Sequence, residues 1–130
     1  GKYDFSFSGI KTAFINLVHA AEQKGQFLNK TDLAASFRRA VVDQLLEKTM
    51  LAVADIGEKA VAVAGGVSAN RLLRYAMQQA CMEQQYRLYL PELALCGDNA
   101  AMVGAAAYHV LKAGAVAGLQ LNAQPSLRMM

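Results

Sequence analysis

The stretch that most constrains this chain is Ala-Val-Ala-Val-Ala-Gly-Gly-Val-Ser-Ala-Asn, residues 60–70. Its first half is a run of small and β-branched apolar residues with no polar face. That is the pattern of a strand buried on both sides in a parallel sheet. Gly65 and Gly66 then remove every Cβ where the chain must turn, so the backbone can take positive φ or come close to a ligand. Ser68 is placed as the N-cap of the following helix, whose apolar stripe runs Leu72, Leu73, Ala76, Met77, Ala80, Cys81. Strand, glycine turn and helix together aim backbone N–H groups and a helix dipole outward at the carboxyl end of a strand, where nucleotides bind. Asn70 sits directly above the glycines. Its carboxamide both donates and accepts, which suits an adenine edge or a ribose hydroxyl, and it is also a common helix-start residue. A tight turn alone accounts for two glycines equally well, and neither GxGxxG nor GxxxxGK[ST] is present.

At 130 residues and 55% hydrophobic, the chain has enough apolar material for one core. A net charge of +3 permits an anionic partner but is far from a basic nucleic-acid tail. Cys81 and Cys96 lie in apolar surroundings outside any metal or redox motif, which reads as two reduced, buried thiols in a cytoplasmic protein. No signal segment opens the chain, and the apolar run over 100–111 is too short and too rich in alanine and glycine to span a bilayer. Because the chain opens with Gly1 and enters a strand pattern within two residues, it reads as a piece of a longer polypeptide.

Residues 2–8 alternate Tyr3, Phe5, Phe7 against Asp4, Ser6, Ser8, which predicts a half-buried strand. Ser8-Gly9 turns it into a helix with the stripe Ile10, Ala13, Phe14, Leu17, Val18, Ala21, ending near Gly25, with Lys11 in its first turn. A long second helix is expected from about Thr31 to Ile56, stopped by Gly57, with Arg39 and Asp43 paired along it. Arg38 and Arg39 read as a solvated face rather than an RNA contact. Residues 86–90 form another strand, stopped by Pro91. Asp98 then caps a helix of small residues expected to pack hard against the sheet or the preceding helix, and residues 115–130 form a loosely packed tail.

Asp98 has a second reading, as a carboxylate held on a rigid helix start beside the Gly65-Gly66 turn and placed for a metal. His19 and His109 lie on different helices without HxxxH or HExxH spacing, and read as surface or interfacial residues rather than ligands. Ser6 and Ser8 have no base near them, so no catalytic nucleophile is identified.

Three segments in series go further: Asp4-Phe5-Ser6-Phe7-Ser8-Gly9-Ile10-Lys11-Thr12, Gly65-Gly66-Val67-Ser68-Ala69-Asn70, and Cys96-Gly97-Asp98-Asn99-Ala100-Ala101-Met102. In order and spacing they resemble the TsaD/Gcp family of tRNA threonylcarbamoyladenosine transferases, once labelled O-sialoglycoprotein endopeptidases. Ile10 replaces the more usual leucine, and Gly97 stands where a small hydroxyl residue is commoner.

The resemblance implies an α/β fold, the C-terminal lobe of an actin-like ATPase (ASKHA, ribonuclease H-like) over residues 1–114, incomplete without an upstream half, to which the strands read at 2–8, 60–64 and 86–90 would belong. It implies that Asn70, Gly65 and Gly66 contact ATP or threonylcarbamoyl-adenylate, and that Asp98 is one ligand of a divalent metal, iron or zinc. The paired metal-binding histidines and the first phosphate loop would lie upstream of Lys2. The implied activity is transfer of threonylcarbamoyl to N6 of adenosine 37 of tRNA in the cytoplasm, away from membranes, with a TsaB-like paralogue and a TsaE-like ATPase as partner proteins. This piece alone is expected to be inactive, and to self-associate through the exposed aromatic strand of residues 2–8. Two rivals remain: a sugar or acid kinase of the same superfamily, and a catalytically silent interaction module.

Overall fold

The computed structural model describes residues 1–122. The chain divides into two compact units, Gly1–Cys96 and a second from Gly97 onward.

In the first unit, helix α1 (Phe7–Gln23) is followed by the 27-residue helix α2 (Lys30–Ile56). Strand β1 (Ala60–Ala62), helix α3 (Arg71–Glu83) and strand β2 (Arg87–Tyr89) complete it. β1 and β2 are parallel, with Val61 opposite Leu88. A parallel pair needs a crossover, and α3 supplies it, so residues 60–89 form a β–α–β unit.

The bounds of α2 follow from its caps. Asn29 Oδ1 accepts the Thr31 N–H at 2.9 Å, and Gly57 closes the helix at φ +78°, donating to Val53 O at 3.0 Å. Arg39 and Asp43 pair at 2.7 Å, an exposed contact that stabilises the helix by about 0.3–0.5 kcal/mol.

The core is where α2 and α3 cover one face of the sheet. Val42, Leu73 and Met77 form one buried cluster, and Val53, Val61 and Cys81 a second; Val63 and Leu88 pack against both. Leu73 and Met77 lie four apart on α3, as the predicted stripe requires. The strand expected to be buried on both sides is buried on one. Val61 is covered, whereas Ala60 and Ala62 are exposed, because alternate residues face opposite sides and both helices lie on the same side. Cys81 and Cys96 are buried free thiols, as expected, and burial raises the Cys81 pKa.

Residues 2–8 do not form the predicted strand. A strand needs a neighbour for its backbone groups, and among the described residues the only paired strands are β1 and β2. The segment is tied instead by side chains. Tyr3 OH donates to Asp55 at 2.6 Å, Lys2 Nζ pairs with Asp55 at 2.5 Å, and Lys48 Nζ donates to Lys2 O at 3.0 Å. Phe5 and Phe7 stack at 5.6 Å. Phe7 and Ser8 join α1, which puts Lys11 beyond the first helical turn. Self-association through an open strand edge therefore loses its structural basis at this segment.

In the second unit, helix α4 (Ala100–Lys112) has the small-residue composition expected of it. Its residues are exposed. The tail expected over 115–130 lies outside the described residues from 123 onward. Among the described residues, no helix is long and apolar enough to cross a membrane.

Candidate functional site

β1 delivers the chain to Gly65, whose φ of +78° and ψ of 176° define a conformation essentially reserved for glycine. A single 3₁₀ turn, Gly66–Ala69, then leads into α3. Ser68 is fully buried inside this turn. Its N–H and its Oγ both donate to Gly65 O, at 3.0 and 2.6 Å, which pins the turn from within. Ser68 is thus not the predicted helix cap. Asn70 takes that place: its Oδ1 accepts from Leu72 N–H at 3.0 Å and Leu73 N–H at 3.2 Å. The turn separates Ser68 from the free N–H groups of α3, so the residue at the helix start captures them.

This assignment narrows what Asn70 can offer a ligand. The carboxamide oxygen is committed to two backbone donors, so the group left for recognition is the Nδ2 amide, a donor. The side chain is half-buried, which holds the amide in place. At Gly65 and Gly66, a built Cβ would meet nothing within 4 Å. Gly65 is required by its backbone angles, but Gly66 is forced neither by φ nor by a neighbour within the chain. The space beside it stays open to a bound group.

One residue of this region escaped the sequence reading. Arg74, half-buried in the first turns of α3, sends Nη1 to Ser68 O at 2.9 Å and Nη2 to Pro91 O at 3.0 Å. Its position four residues after Asn70, hence on the same helical face, was the one signal available.

Asp98 lies in the second unit and is exposed. It is not the cap of α4. Asn99 is, accepting Met102 N–H at 2.9 Å. Among the described residues no group of three or more His, Cys, Asp or Glu could hold a metal ion, and a single carboxylate does not make a metal site. His19 and His109 are exposed and lie on α1 and α4.

A parallel strand pair joined by a crossover helix places the chain in the α/β class. More particularly, the chain belongs to the tRNA N6-adenosine threonylcarbamoyltransferase family, whose model matches residues 1–105. It is 53% identical over 129 residues to the tRNA N6-adenosine threonylcarbamoyltransferase of Lactobacillus delbrueckii subsp. bulgaricus, covering 98% of this chain and 37% of the relative. The proteins of the same name from Enterococcus faecalis and Halalkalibacterium halodurans are 51% and 46% identical, each match again covering 98% of this chain and 37% of the relative. The chain thus spans little more than a third of the length of the curated relatives it matches.

Proposed function

We propose that this chain contributes the adenylate-holding turn to an enzyme that transfers a threonylcarbamoyl group from its adenylate to N6 of adenosine 37 of tRNA. The observation that carries the reading is the turn itself: glycines with open space beside them at the end of a parallel strand, leading into a helix whose first residues are fixed by Asn70. In this reading the adenylate or ATP lies against Gly65 and Gly66, and the Asn70 Nδ2 amide donates to an acceptor on the base or ribose. Such an arrangement belongs to a lobe of an actin-like ATPase fold over residues 1–114, with the catalytic cleft completed by a second lobe.

Asp98 is proposed as one ligand of a divalent metal, iron or zinc. A catalytic metal needs further protein ligands, and the described residues do not assemble them, so no step of the reaction is assigned here to the metal. The cytoplasm is the proposed site of action, tRNA the substrate partner, and a TsaB-like paralogue and a TsaE-like ATPase the partner proteins.

The test is titration of the chain with ATP while backbone amide signals are followed by NMR. Shifts confined to residues 65–70 with a millimolar midpoint, about 4 kcal/mol of binding, are expected. Asn70→Ala should weaken the response by somewhat under tenfold, the loss of about one hydrogen bond. Absence of any shift at Gly65, Gly66 and Asn70 at several times that concentration would falsify the nucleotide reading.

A further inference from the structure

The last ladder contact between β1 and β2 is Val63 N–H to Tyr89 O at 3.0 Å. Beyond it the sheet no longer holds the chain, and two loops emerge side by side at the carboxyl ends of the strands: residues 64–70 and residues 90–96. Ligands of parallel sheets bind at this end, so the relative placement of these loops decides the shape of the site. Arg74 is what joins them. One planar guanidinium donates to Ser68 O in the first loop at 2.9 Å and to Pro91 O in the second at 3.0 Å. Nη1 also lies 3.9 Å from the buried Cys96 Sγ, whose thiol donates to Glu92 O at 3.4 Å. The contacts run on inward, since Ser68 Oγ donates to Gly65 O. Gly65 and Pro91 are therefore mechanically linked through two side chains.

The chemistry of these partners matters as much as the geometry. Two backbone carbonyls and a thiol neutralise no charge, and among the described residues Arg74 has no ion-pair partner. A half-buried guanidinium with no carboxylate beside it leaves a positive field at the mouth of the turn, which favours an anionic ligand. Lysine cannot take over the full task, because an ammonium is a point charge without the fork that spans two acceptors.

We propose that Arg74 is the positioning residue of the nucleotide turn, locking the loop of residues 64–70 to that of residues 90–96 in the geometry that receives an adenine nucleotide. This rests on the reading of Gly65–Asn70 as the nucleotide site. In the test, the whole chain is titrated with AMP as wild type, Arg74→Ala and Arg74→Lys. Amide hydrogen exchange is measured without nucleotide, and the titrations are repeated with guanidinium ion at tens of millimolar.

Expected for Arg74→Ala is exchange faster by tenfold or more in both loops, with the Met77 and Cys81 amides of α3 unchanged. AMP affinity should fall by tenfold or more, and guanidinium should restore most of it. Arg74→Lys, which keeps the charge and the packing of the stem, is expected to recover only part of the affinity, and it serves as the reading variant if Arg74→Ala does not fold. Restoration by guanidinium separates positioning from bulk stability, since the same ion destabilises folded proteins in general. A wild-type AMP response that neither variant weakens overturns the role of Arg74 alone. Weakening that guanidinium leaves untouched assigns Arg74 to the fold and also overturns it. A wild-type chain with no AMP response sinks the nucleotide reading first, and this proposal with it.

Discussion

Helices α3 and α4 make a controlled comparison. Each is 13 residues long and each is opened by an asparagine whose Oδ1 accepts backbone N–H groups of the first turn. Beyond the cap they diverge. α3 buries Leu73, Met77 and Cys81, while α4 buries nothing and leaves Val103 62% and Leu111 64% exposed. Their sequences explain why both are helices. The alanines of α4 carry the strongest intrinsic propensity, and α3 has the three-and-four stripe of one buried face. Helix formation is settled within a few residues of chain, whereas burial needs a second layer, which α3 finds in α2 and the sheet. An apolar helix is therefore no guide by itself to where the core lies.

The sharpest way to break this contrast is to truncate one apolar side chain in each helix. Leu73→Ala removes a side chain that is 2% exposed and central to its cluster, and should destabilise the first unit by about 2–5 kcal/mol. Val103→Ala on α4 should change stability by less than about 0.5 kcal/mol. Urea unfolding of the two variants measures both, and equal losses would mean that α4 is packed as tightly as α3.

A smaller effect tests what the helices share. Asn70→Ala and Asn99→Ala should each cost about 1 kcal/mol of helix stability. Hydrogen exchange should show the loss at Leu72 and Leu73 in the first variant and at Met102 in the second. Asp98→Asn belongs to the same experiment as its control. Because Asn99 already caps α4, the substitution should leave Met102 exchange unchanged. In the intact enzyme it should lower metal content if Asp98 is a ligand, as proposed.

The smallest effect lies outside both helices, where residues 2–8 are tied to α2. Asp55 is held below the usual aspartate range by hydrogen bonds from Lys2 and from Tyr3, while Tyr3 is raised by the same carboxylate. A carboxylate with a depressed folded pKa contributes its stabilisation fully above the unfolded value and loses it as the pH falls through the folded one. The tie should thus hold at neutral pH and release only in acid, below the ordinary aspartate range. An NMR titration of Asp55 with Tyr3 as reporter checks this; release near neutrality would contradict the direction.

The sequence by itself determined much of what local chemistry decides. The end of α2 was legible because Gly57 is a stop signal for the residues beside it, and the buried side of α3 because its stripe has the helical period. The glycine turn was legible because Gly65 needs a backbone conformation that other residues avoid. Tertiary structure decided what depends on neighbours distant in sequence. The alternation of Tyr3, Phe5 and Phe7 became no strand, because among the described residues no second strand lies beside it. β1 was covered on one face and not two, because α2 and α3 pack on the same side. The capping of α3 by Asn70 and not Ser68 is a local outcome that the sequence nonetheless left open, because the turn draws Ser68 inward to Gly65 three residues away. Arg74 carried no signal beyond its place four residues after Asn70, because its task is to join Ser68 to Pro91, two points that meet only after the parallel strands have paired.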